Sequence, residues 1–121
     1  MYITTKDKGN RVDTSEGEII FELIGCEKNQ GDALKHSVAH VVIPSGCSSL
    51  LHYHPEAEET YCILKGEGKI VVNGKDYPVK SGDTVFISPL EKHQIFAYGT
   101  CDLEFIAVCA PAWTPECSVF L

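Results

Sequence analysis

The sequence predicts an all-β fold, a sandwich or barrel, and three observations carry that expectation. Short runs of β-branched and aromatic residues recur along the chain, Gly, Pro, Asn or Asp interrupts them every eight to twelve residues or so, and no long stretch holds a helical period.

In chain order the runs are EIIFELIG (Glu18 to Gly25), SVAHVVI (Ser37 to Ile43), SLLHYH (Ser49 to His54), TYCILKG (Thr60 to Gly66), GKIVV (Gly68 to Val72), KDYPV (Lys75 to Val79), TVFIS (Thr84 to Ser88), HQIFAY (His93 to Tyr98) and LEFIAVCA (Leu103 to Ala110). Asn73-Gly74 can supply the two positive-φ residues of a type I′ turn, so the strands on either side should pair antiparallel. KSGD (Lys80 to Asp83) reads as a second tight turn. In LEFIAVCA, Phe105 and Ala107 share one face while Ile106 and Val108 share the other, so both faces need cover. NQGDALKHS (Asn29 to Ser37) has room for one helical turn at most, and any helix is expected to be short and peripheral.

With 121 residues the chain is expected to form one domain over 1–121, large enough for a core without disulfides or structural metal. Ten basic residues against seventeen acidic ones give a formal charge of −7, which repels polyphosphate and anionic lipid and argues against nucleic-acid and membrane partners. The opening MYITTKDKGN lacks a signal-peptide core, and the longest clearly apolar run, FIAVCA, is far too short to span a bilayer. A soluble, cytoplasmic protein is the expectation. Cys26, Cys47, Cys62, Cys101, Cys109 and Cys117 form no CxxC pair and read as thiols buried in a reducing compartment.

The stretch HYHPEAEETY (His52 to Tyr61) carries the chemistry. His52 and His54 sit two apart in an extended run, so they point to one face together with Leu50 and can converge on one cation. Beyond Pro55 the chain must turn, and Glu59, with Glu56 and Glu58 as local competitors, can add an oxygen donor at the mouth of the next strand. His93 opens a strand remote in sequence, and in a barrel such strand starts can be neighbours in space.

GCSSLLHYHPEAEETYCILKGEG (Gly46 to Gly68) followed by GDTVFISPLEKHQIFA (Gly82 to Ala97) resembles the two motifs of the cupin superfamily. Gly46, His52, His54, Glu59 and Gly66 fall on the first motif, and Gly82 and His93 on the second, with Pro89 one place past the motif's proline. Ala97 stands where the second motif has asparagine. The resemblance covers about residues 39–110 and implies a double-stranded β-helix, a jelly-roll barrel, with one metal near one mouth. By the motif interval it prefers Glu59 as the carboxylate ligand, with Glu58 as second choice. It also implies a homodimer, which would cover the outer apolar residues of EIIFELIG and LEFIAVCA.

The implied ligands His52, His54, Glu59 and His93 suit one divalent transition metal per chain, whether manganese, iron, nickel, copper or zinc. Four side chains on a six-coordinate ion leave room for a ligand, whereas tetrahedral zinc would be closed and structural. By alternation Tyr61 and Ile63 follow Glu59, and Ile95 and Ala97 follow His93, so Tyr61, Ile63 and Ile95 are expected to line a pocket for a small-molecule ligand. Tyr61 is a candidate proton donor, and His40 a candidate base if it faces inward; His36 reads as exposed. Two functions follow: a metal-dependent enzyme on a small oxygenated molecule, of dioxygenase, isomerase or lyase type, or a non-catalytic module that binds a sugar or small acid around a structural metal.

Overall fold

The computed structural model describes residues 1–121. Eleven strands form two antiparallel sheets. The six-stranded sheet runs in the order β1 (Asn10–Asp13), β2 (Ile19–Ile24), β3 (Ser37–Ile43), β10 (Leu103–Ala110), β5 (Glu58–Lys65) and β8 (Thr84–Ile87). The five-stranded sheet runs β11 (Val119–Phe120), β4 (His52–Tyr53), β9 (His93–Ala97), β6 (Glu67–Val72) and β7 (Lys75–Lys80). The chain crosses repeatedly between the sheets, which is the double-stranded β-helix expected from the motifs. Helical structure is confined to two 3₁₀ turns, Lys6–Lys8 and Pro115–Cys117, and the 29–37 stretch is turns and bends without a helical turn.

The hairpin at Asn73-Gly74 forms as the sequence requires. Both residues have positive φ, 48° and 83°, and β6 pairs with β7 from Glu67↔Lys80 to Val72↔Lys75. Gly66, between β5 and β6, has φ of 86°, and an added Cβ would strike the Asp102 carbonyl, so the motif glycine serves both conformation and close approach. The KSGD turn closes through Asp83 N–H to the Lys80 carbonyl (3.0 Å) and Lys80 N–H to Asp83 Oδ2 (2.9 Å).

Three elements differ from the sequence reading. β1 is an added edge strand of Asn, Arg, Val and Asp, fully exposed; its polar character hid it from a search for apolar runs and suits an edge. The run from Ser49 shrinks to His52–Tyr53, and Ser48 just before it makes only isolated bridges, to Gly17 and Phe96. β11 is only two residues long and owes its pairing to β4.

The interior is filled by Val41, Ile43, Tyr61, Ile63, Ile70, Val79, Ile87, Ile95, Ala97, Leu103 and Phe105. On β10, Leu103 and Phe105 are fully buried, while Ile106 and Val108 on the other face are half-buried. Part of the outer cover comes from the chain itself, since Lys6 and Arg11 lie over the Phe21 ring at 5.1 and 5.7 Å. All six cysteines are free, but only Cys109 is buried and Cys101 is exposed, so burial is not their common feature.

Phe105 stacks on Tyr61 with ring centroids 4.4 Å apart and is 0% exposed. Phe105→Ala is expected to cost about 3 to 5 kcal/mol by urea denaturation, because the barrel cannot collapse into the void. A cost under about 1 kcal/mol would show that the interior repacks around the gap.

Candidate metal centre

The four motif residues meet. His52 on β4, His54 just beyond it, Glu59 on β5 and His93 at the start of β9 place their donor atoms within 4.8 Å of one another. β4 and β9 pair at His52↔His93, which joins two histidines 41 positions apart in the chain (93 minus 52). Period-2 alternation puts His54 beside His52 and turns Leu50, His52 and His54 into the same cavity. Glu59 is buried and Glu58 exposed, because successive residues on β5 face opposite ways.

Backbone carbonyls determine which nitrogen each imidazole offers. His52 Nδ1–H donates to the Leu50 carbonyl (2.8 Å), His54 Nδ1–H to the Cys117 carbonyl (3.0 Å) and His93 Nδ1–H to the Glu91 carbonyl (2.8 Å). A carbonyl can only accept, so each Nδ1 carries the hydrogen and each Nε2 of a neutral ring is a bare lone pair. Those lone pairs turn toward Glu59. Its Oε1 lies 3.2 Å from His54 Nε2 and 3.3 Å from His93 Nε2. The second contact is out of line for a hydrogen bond, and His93 Nε2 is a buried nitrogen with no partner.

Bare nitrogens and a carboxylate at this spacing repel unless a proton or a cation lies between them. Without a cation, a proton does part of this work. Burial opposes ionisation of Glu59, but the contacts from His54 and His93 prevail and hold its carboxyl down at about 2. Burial likewise opposes protonation of His54, and the Glu59 carboxylate overcomes it, raising the imidazole above its ordinary value. His52 goes the other way: burial, then repulsion from His93, lowers it to about 4. A cation satisfies the set more completely. Opposed donors about 2.1 Å from one ion stand about 4.2 Å apart, so a contraction of roughly half an ångström would seat a divalent ion among these four residues.

The neighbourhood corrects three expectations. His40 lies on the outer face of β3, where its Nε2 meets Glu104 Oε1 at 2.9 Å; it does not face inward and is absent from the cavity. Ile63 and Ile95, 3% and 0% exposed, are core behind the cluster and do not line the cavity. Tyr61 does line it, and burial, reinforced by Glu59 and Glu18, holds its phenol well above the usual value, so it stays a hydrogen-bond donor. His36 is exposed.

The cavity has a volume of about 320 Å³. Its walls are largely apolar, with Ile20, Val41, Leu50, Phe105, Ala107 and Trp113 among them. Two contributors were missed in the sequence. The C-terminal segment closes one side: Phe120 lies 5.7 Å from the His52 ring, Cys117 supplies the carbonyl for His54, and Ser118 Oγ accepts from Trp113 Nε1 at 2.9 Å. Glu18 closes another side. Nothing local in ECSVFL signals a histidine partner; Glu18 was read only as the start of a strand.

A family model described as a cupin domain matches residues 39–109. An uncharacterized protein of Methanocaldococcus jannaschii is 34% identical over 113 residues, 93% of this chain and 89% of that protein. The oxalate-binding protein of Thermotoga maritima is 47% identical over 70 residues, which is 58% of each chain. Among solved structures, Streptomyces Pac13 with uridine superposes with a TM-score of 0.82 at 17% identity, over 100% of this chain and 91% of that one, a likeness of fold.

The electrostatics give a signed pH dependence for the cation-free protein. Unfolded histidine protonates near 6.5 and folded His52 only near 4, so between these values the unfolded chain binds more protons and stability falls as pH is lowered. His54, with its raised value, acts with the opposite sign near the top of this window, where the folded ring holds its proton more tightly than the unfolded one, and Glu59 loses its contribution only as pH falls from 4.5 toward 2. Across the window His52 is expected to contribute a loss of up to about 3 kcal/mol, opposed by Glu18, whose raised carboxyl acts with the opposite sign over much of the same range. The His52 share is read by urea denaturation in EDTA as the difference between the pH slopes of wild type and His52→Gln; identical slopes would show that His52 contributes none of it.

Proposed function

This chain belongs to the cupin family, and we propose that it holds one divalent transition metal on His52, His54, Glu59 and His93 and acts as a metal-dependent enzyme on a small oxygenated molecule in the adjoining cavity. The observation that carries this reading is the buried, partnerless Nε2 of His93, set against Glu59 by a ring whose Nδ1 is already committed to a carbonyl. Three neutral nitrogens and one carboxylate oxygen suit manganese, iron(II), nickel, copper or zinc. When bound, such an ion supplies Lewis-acid polarisation of a carbonyl or hydroxyl oxygen.

The chain's own residues do the rest. The apolar walls exclude water and strengthen polar contacts inside. The Tyr61 phenol, kept protonated, donates to an oxygen of the bound molecule. The carbonyls of Leu50, Cys117 and Glu91 keep the histidines in register. The likeness to the oxalate-binding protein of T. maritima favours a second reading, non-catalytic binding of a small acid at the same centre. Six unpaired thiols support a reducing, cytoplasmic location, and no helix is long and apolar enough to cross a membrane.

Purified protein is expected to carry about one divalent ion per chain by elemental analysis. His54→Ala and His93→Ala should lose most of it, and Glu59→Ala more than the exposed Glu58→Ala. Full metal content in both histidine variants would remove the site. Loaded anaerobically with each metal in turn and offered diketones, thiols, catechols and sugar acids, an enzyme should turn one class over. Oxygen uptake marks a dioxygenase, turnover without it an isomerase or lyase, and saturable binding without turnover supports the second reading.

We also propose a homodimer through the outer face of the six-stranded sheet. Half-buried Cys62, Ile106 and Val108 adjoin Phe86, which is 59% exposed. Sedimentation should give twice the chain mass, and Phe86→Glu should shift it toward the monomer. A wild-type monomer at micromolar concentration would exclude the dimer.

A further inference from the structure

Outside the metal centre the cavity holds another buried acid. Glu18 ends the turn before β2, where its carbonyl accepts from both Thr14 N–H and Thr14 Oγ–H at 3.0 Å. Its side chain is 9% exposed, lines the cavity and makes no hydrogen bond to any protein group. The carboxyl opens onto the cavity with no protein donor beside it, so its hydrogen-bond partner is whatever occupies that space, water or a ligand.

The strand registers place Glu18 away from the metal centre. Carried back one residue from Ile19↔Val42, β2 sets Glu18 beside Ile43, which pairs with Leu103. Glu59 shares its row with Cys109 and Ser37, six residues earlier on β3. Between the two acids lie the apolar walls Ile20, Val41, Phe105 and Ala107. The titratable groups facing the same space are Glu22, His52, His54, Glu59, Tyr61 and Cys109. Burial, then the charge of Glu59, lifts Glu18 to about 7. It lies outside the family match at residues 39–109.

We propose that Glu18 is the specificity-determining residue of the cavity, hydrogen-bonding an uncharged hydroxyl at the far end of a ligand whose near end binds at the His52, His54, Glu59 and His93 centre. The ligand class is thus a small molecule with an apolar body and oxygen functions at opposite ends, only the near one anionic. A far-end carboxylate would face Glu18 and be disfavoured. This rests on the reading of the four-residue centre as the ligand's anchor.

The test uses metal-loaded protein and three synthetic probes: hexanohydroxamic acids, whose hydroxamate chelates the metal, ending in methyl, hydroxyl or carboxylate. Calorimetry on the wild type should rank hydroxyl above the other two by about tenfold. Glu18→Leu should abolish the hydroxyl preference without lowering metal content, and Glu18→Gln, which retains a hydrogen-bonding amide, should keep it and relax the rejection of carboxylate. A hydroxyl preference that survives Glu18→Leu overturns the proposal. If no probe binds wild type with full metal content, the anchor reading fails, and the proposal with it. A second measurement needs no ligand: a carboxyl whose folded pKa is raised contributes stability at low pH that is lost as pH rises through 7. Glu18→Gln should therefore raise Tm at pH 8 and change it little at pH 5. Equal Tm values at pH 8 would refute the buried, partnerless state on which the proposal stands.

Discussion

Three hydrogen bonds from imidazole to backbone organise this molecule. Leu50, Cys117 and Glu91 each offer a carbonyl to an Nδ1–H, and together they force three Nε2 lone pairs to face one buried carboxylate. Two of these acceptors lie two residues from their histidine, so local backbone shape produces them. The third, Cys117, is 63 residues from His54 and exists only because the C-terminal segment returns to pair β11 with β4. A strand of two residues would have little reason to form alone. Here it orients a histidine, and its Phe120 covers another.

The barrel gives that arrangement its force. Behind the centre, Ile63, Ile95 and their neighbours are packed into the apolar core, so the donors find no polar partner on that side. A shared proton relieves part of the repulsion and a cation would relieve more, which couples occupancy of the site to proton release. Ahead of the centre the wall opens into a cavity bounded largely by β2, β3 and the C-terminal segment. The family motif thus builds the anchor, while the segments on either side of it shape what the anchor can meet.

The same division explains where a stability cost is carried. His93 Nε2 is a buried nitrogen without a partner, and Glu18 is a largely buried carboxyl with no protein hydrogen bond; folding opposes both. Both adjoin or face the region assigned to function, where proteins commonly tolerate such strain. Tyr61 is buried against Phe105 and kept protonated by that burial, reinforced by Glu59 and Glu18.

By itself the sequence determined what depends on short-range periodicity and turn chemistry. Alternation placed His52 and His54 on one face and separated Glu59 from Glu58; Asn73-Gly74 set a hairpin; glycine spacing marked turns that need positive φ. Only the tertiary structure decided the rest. In SVAHVVI both faces are apolar, so alternation could not say which one His40 joins, and pairing with Glu104 on β10 settled it outward. Ile63 and Ile95 follow their ligands by alternation, but packing across the barrel buries both in the core and neither lines the cavity. β1, the carbonyl of Cys117 and the orphaned carboxyl of Glu18 left no mark on local pattern. Their roles come from what lies across the fold, because the partner that defines a hydrogen bond, or leaves a group without one, is chosen by packing between segments remote in the chain.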